Sequence, residues 1–160
     1  MSKLCAGFQS YGEDLVTVSK SSTVAIKALD FDGSNDYVSI PNDASLNINN
    51  NLSVVCLVKQ VTAATDKAIA GMYFAAGNQR AWLIQTGSSN SRAIKVIVSD
   101  DGTYAGHNKT YETTNPVLTA GAWNQVGFTF ASGTLKIFVN GAEVVAVTKV
   151  VDDAITSVHS

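Results

Sequence analysis

Apolar and polar positions alternate most regularly in the last third of the chain. In WNQVGFTFA (123–131), Asn124, Val126, Phe128 and Phe130 fall on one face. Trp123, Gln125, Gly127, Thr129 and Ala131 fall on the other, as a period of two requires of a strand. After the turn pair SG, the stretch TLKIFVNG sets Leu135, Ile137 and Val139 against Lys136, Phe138 and Asn140. Asn140-Gly141 is a strong hairpin signal, because both residues tolerate the positive φ angles of a type I′ turn. AEVVAVTKV continues as a further strand, so 123–150 reads as a three-strand meander.

Shorter β-type runs are expected at 36–40, 52–59, 81–86, 93–98 and 110–118. Between them glycine recurs in turn-like contexts: DGS, AGN, TGSSN, DDGT and VNGAE. Helical periodicity is not sustained in any long window, and the best candidate, VTAATDKAIAGM, supports at most one turn. The pattern is therefore all-β, an antiparallel sandwich or barrel. The opening segment, 1–27, differs: its DLVTVSKSSTVAIK is rich in Ser, Thr and Lys and suits one strand or an extended arm. A boundary falls near Lys27, dividing 1–27 from a domain over 28–160.

Composition narrows the class. A chain of 160 residues with 46% apolar and 15% charged residues forms one domain with a real core. Its net charge of −2, without a run of Lys or Arg, argues against nucleic acid and anionic membranes as partners. No stretch reaches the roughly 18 apolar residues of a membrane span. The opening residues lack the charged and apolar regions of a secretory signal, which points to synthesis and folding in the cytoplasm. Cys5 and Cys56 fit no CxxC or zinc spacing and read as free, partly buried thiols.

The order of segments carries a resemblance. LDFDGSNDYVSIPNDASLNINNNLSVVCLVK, then AWLIQTGSS and IKVIVSDDGTY, then LTAGAWNQVGFTFASGTLKIFVNGAEV resemble the laminin-G-like, concanavalin A-like lectin/glucanase superfamily. Phe31, Asp32, Gly33, Asp36, Tyr37 and Val38 match its first strand motif. Leu52, Ser53, Leu57, Val58 and Lys59 match a second, with Leu57 where the family usually has Trp. Trp123, Val126, Thr129, Gly133, Leu135, Phe138, Val139, Asn140 and Gly141 match its late hairpin, Trp123 supplying a large buried area. The resemblance implies a two-sheet antiparallel jelly-roll sandwich. The sequence reaches DDAITSVHS without the family's closing strand patterns, so an open edge is expected, a pairing hazard. Either more chain or a partner strand would close it, and 1–27 is a candidate for that strand or for a docking arm.

Catalysis finds little support. The glucanase branch implied by the resemblance uses paired glutamates, since retaining hydrolysis needs carboxyls about 5 Å apart. Glu13, Glu112 and Glu143 are not paired at strand spacing. His107, in a Gly/Asn loop, and His159, near the C-terminus, read as solvated side chains, and no GxSxG, P-loop or GxGxxG occurs. Relatives in the resembled family hold Ca2+ at a sandwich rim, and that hard ion wants six to eight oxygens. Candidate groups are Asp32, Asn35 and Asp36; Asn42 and Asp43; Asp100 and Asp101; and Asp152 and Asp153, none at EF-hand spacing. The same residue types also populate turns by capping local N–H groups. For a glycan, Tyr104, His107, Asn108 and Tyr111 form one candidate loop, and Asn78, Gln79 and Arg80 a second, set against an ordinary solvated turn.

Two functions follow as expectations. One is a non-catalytic structural component of a particle surface, such as a phage tail fibre or capsid-decoration protein, with 1–27 as its attachment arm. It would sit on a virion or particle as a homo-oligomer among other protein partners. The other is a lectin-like adhesion module binding surface glycans, with Ca2+ as its one candidate cofactor. The lack of a signal, the low charge, the free cysteines and the N-terminal segment favour the first.

Overall fold

The computed structural model of the chain describes residues 4–7, 28–41, 43–48, 50–104, 107–150 and 157–159. Ten strands are present among them: β1 (Leu4–Gly7), β2 (Leu52–Gln60), β3 (Ala68–Phe74), β4 (Gln79–Thr86) and β5 (Ile94–Gly102). They continue with β6 (Asn108–Thr113), β7 (Trp123–Ala131), β8 (Thr134–Val139), β9 (Ala142–Val144) and β10 (Ala146–Val150). One sheet runs β1-β2-β7-β8-β9 and the other β10-β6-β5-β4-β3. Every pairing is antiparallel.

The core lies between the sheets, and the alternation read from the sequence decides which residues enter it. Val126, Phe128 and Phe130 of β7 and Leu135, Ile137 and Val139 of β8 face Ile84, Ile94, Val96 and Val98 of the other sheet. Trp82 packs its ring 5.8 Å from that of Phe128. Each fully buried side chain of this size contributes about 1.5–3 kcal/mol. The β8–β9 turn has the positive φ values that Asn140-Gly141 permits, 50° and 82°.

Trp123 is a correction. It stands on the outward face of β7 and is 41% exposed, so the large buried aromatics are Phe128, Phe130 and the half-buried Trp82 instead. The odd-numbered face of β7 points away from the opposing sheet, and Trp123 shares that face.

The expected strand at 36–40 is not formed. Tyr37, Val38 and Ile40 are 81%, 55% and 66% exposed and run as extended chain, with a bridge residue only at Phe31. No described strand lies alongside to complete a ladder, and an extended segment without one keeps its backbone groups for solvent. The expected third strand of the meander divides at Val145, which is 80% exposed. β9 stays with β8, while β10 joins β6 in the opposite sheet, a sheet switch made through a bend. The run at 110–118 ends early, at Thr113, ahead of Pro116, whose missing N–H cannot extend a ladder. Leu118 then turns back into the core.

The Ala-rich stretch, read as at most one helical turn, forms no helix, and its end, from Ala68, opens β3. Pairing with β4 overrides its propensity, and Gly71 permits the close approach: a Cβ there would sit 2.9 Å from both Leu83 Cδ1 and the Trp82 carbonyl. β1 pairs with β2, Leu4 opposite Gln60 and Gly7 opposite Leu57. The rest of 1–27, including DLVTVSKSSTVAIK, lies outside the described residues. Cys56 is a free, half-buried thiol whose pKa burial raises.

Candidate functional site

Two turns of the β10-β6-β5-β4-β3 sheet meet at one rim. The β3–β4 turn carries Asn78 and opens β4, while the end of β5 and the β5–β6 turn carry Asp100 to Asn108. Arg80 pairs across the ladder with Gly102. A Cβ on Gly102, where φ is +82°, would overlap the Asn78 carbonyl oxygen, so a glycine lets the two turns touch. His159 reaches the same place, because its N–H donates to the Ser99 carbonyl at 2.7 Å while Val158 beside it fills the core.

Arg80 is held from three sides. Its Nη1 donates to Asn78 Oδ1 at 3.2 Å and to the Gly102 carbonyl at 3.3 Å. Its Cζ lies 5.7 Å from the centre of the Tyr73 ring, within cation–π range. Burial raises the Tyr73 phenol, the Tyr104 phenol raises it further, and the Arg80 charge offsets part of the rise.

The β5–β6 turn is tied internally. Ser99 Oγ accepts from the Gly102 N–H at 3.1 Å and donates to the Thr103 carbonyl at 2.8 Å. Asp101 Oδ1 accepts from both the N–H and the hydroxyl of Thr103 at 2.8 Å. His107 Nδ1 stands 3.5 Å from Asp100 Oδ1 and 3.5 Å from Asp101 Oδ2. Partial desolvation pulls the Asp101 pKa up, but the Thr103 bonds and the His107 charge outweigh it and leave the carboxyl below its usual range.

Asp100, Asp101 and His107 each present one ligand atom, all within 4.8 Å of one another. Asp100 Oδ1 is buried and lacks a hydrogen-bond donor, as a ligand oxygen would before meeting a cation. One imidazole nitrogen with two carboxylates suits a borderline ion such as Zn2+, whereas Ca2+ takes oxygen ligands.

The structure thus brings together Asn78, Arg80, Asp100, Asp101, Tyr104 and His107 from the sequence-derived candidates. Gln79 is exposed at the start of β4. Asn108 is buried and works as a clamp: its Nδ2 donates to the Tyr104 carbonyl and its Oδ1 accepts from Thr110 Oγ1. Tyr111 goes elsewhere, packing against the core from β6. The Asp32 group closes on itself: Asp32 Oδ1 accepts from the Ser34 N–H at 2.7 Å, and Asp36 Oδ2 from the Asp32 N–H at 2.9 Å. Asp43 caps the short 3-10 turn 44–46 through Ser45, whose hydrogen bonds lower its pKa. Asn42, Asp152 and Asp153 lie outside the described residues.

Sequence reasoning missed Tyr73. The neighbouring pair Tyr73-Phe74 was its only signal, and β3 had first to be recognised as a strand. A family model described as the concanavalin A-like lectin/glucanases superfamily matches residues 32–158. Neither curated proteins nor solved structures give a match.

Proposed function

The chain belongs to the concanavalin A-like lectin/glucanase superfamily, and on that premise we propose that it is a non-catalytic surface-recognition module that binds glycans at the Arg80–Tyr104–His107 rim. One observation supports this reading: two turns meet at a rim that carries exposed Tyr104, a fixed guanidinium with its amide partner, and an imidazole between two carboxylates. A sugar ring stacks its apolar face on an aromatic while its hydroxyls need such polar partners. The test is a glycan array run with and without a chelator. Binding that is lost in Tyr104→Ala supports the reading, and silence across the array sinks it. Loss of binding with the chelator would bring Asp100, Asp101 and His107 into the site as ion ligands.

The particle setting is proposed on separate ground. Tyr37, Val38 and Ile40, with Val55 (67%) and Leu57 (47%) of β2, leave large apolar side chains exposed. Exposure of this extent suits burial against other chains, as in a homo-oligomeric phage tail-fibre or capsid-decoration component with 1–27 as its attachment arm. Particle incorporation of a protein lacking 1–27 tests the arm; undiminished assembly would remove it from the account.

A further inference from the structure

Residues 157–159 belong to no helix or strand, yet they are tied into the rim. Val158 is 2% exposed and joins the buried cluster that also holds Val98, Phe128 and Phe130. The next residue, His159, donates its N–H to the Ser99 carbonyl at 2.7 Å. Ser99 falls where the β4–β5 register shifts, between the Trp82–Val98 and Arg80–Gly102 pairs. Such an irregularity leaves main-chain groups outside the ladder, open to another donor.

The rest of Ser99 holds the β5–β6 turn. Its Oγ accepts from the Gly102 N–H at 3.1 Å and donates to the Thr103 carbonyl at 2.8 Å. Thr103 in turn fixes Asp101, and Asp100 and Asp101 each stand 3.5 Å from His107. A short line of contacts therefore runs from His159 through Ser99, Thr103 and Asp101 to His107. His159 also approaches Gly102 from the side, since a Cβ there would lie 3.0 Å from its Cδ2.

We propose that residues 157–159 are a latch for the rim. Val158 plugs the core, the His159 N–H holds the Ser99 carbonyl, and release of both lets Asp100, Asp101 and His107 leave their arrangement. Among the described residues the latch has one buried apolar anchor and one main-chain hydrogen bond, whereas β5 and β7 are held by ladders on both sides. An element held so lightly opens locally while the sandwich stays folded. The coupling is reciprocal: a ligand seated on the rim keeps the latch shut, and a partner that draws the latch out loosens the rim. The inference goes beyond the glycan reading and does not depend on it.

Proton NMR tests it, because His107 and His159 are the chain's two histidines. His159→Ala and His159→Pro each leave His107 as the one imidazole signal, but only the alanine keeps the main-chain N–H. The His107 signal is expected at its wild-type position in His159→Ala and displaced in His159→Pro. The Gly102 amide, bonded to Ser99 Oγ, should exchange with solvent ~10-fold or more faster in His159→Pro, while the Phe128 amide of β7 keeps its wild-type rate. Val158→Asp, which expels the plug and keeps the N–H, should also speed exchange at Gly102. An unchanged His107 signal and Gly102 rate in His159→Pro overturns the proposal, as does an unchanged Gly102 rate in Val158→Asp. Equal acceleration at Gly102 and Phe128 in His159→Pro overturns it too, because it reports unfolding of the whole sandwich.

Discussion

Gly102 shows how much of the rim depends on one missing side chain. Its φ of +82° already disfavours any L-residue, and an added Cβ would overlap the Asn78 carbonyl. Gly102→Ala is therefore expected to destabilise the fold by about 2 kcal/mol or more in a urea titration. Gly121, whose φ is +68° but whose Cβ would meet nothing, should lose only the backbone part, about 1 kcal/mol, when changed to Ala. Asp66 gives a pH signature. Hydrogen bonds from Lys95 and then Ser88 hold its carboxyl below the usual carboxylate range. Its lowered folded pKa makes the stabilisation present above the unfolded pKa and lost as pH falls through the folded one. Because Asp66 is half exposed, the effect is under about 1 kcal/mol. Asp66→Asn should flatten the acid side of the stability curve below about pH 4, measured by denaturation at several pH values. At this scale the sequence showed Asn78, Arg80, Tyr104 and His107, because polar and aromatic residues in Gly/Asn turns stand out. Tyr73 stayed hidden because its place depends on pairing between β3 and β4.

At the scale of elements, the β7–β8 hairpin was legible to the residue and the two ends of the domain were not. Alternation and Asn140-Gly141 act locally, so sequence alone reveals them. The stretch 36–40 has the same alternation but no strand beside it among the described residues, and a period of two does not report whether a partner exists. The break at Val145 carries no Gly or Pro to announce it. The inward and outward faces of β7 make opposite predictions. Phe128→Ala, deleting a side chain 1% exposed, should destabilise by about 3–5 kcal/mol. Trp123→Ala, on the outer face, should lose about 1 kcal/mol or less, although it removes the larger side chain. Equal losses in equilibrium unfolding would mean that Trp123 is buried after all.

For the whole molecule, the apolar side chains left outside the sandwich bear on its company. Val55 and Leu57 project from the outer face of β2, so Val55→Lys with Leu57→Lys should leave the monomer folded. Under the assembly proposal the same double change lowers the mass measured by light scattering, with the dichroism spectrum unchanged. A wild-type mass equal to the 16.8 kDa of one chain would remove self-association from that proposal.

The switch at Val145 has a mechanical consequence. β9 and β10 belong to opposite sheets and are joined by this single residue. A load that separates the sheets here reaches the covalent main chain at once, with no slack loop to pay out first. Weakening the hydrophobic interface would leave the sheets tethered at this corner. Under tension the sandwich should hinge open about Val145, the far edges parting first.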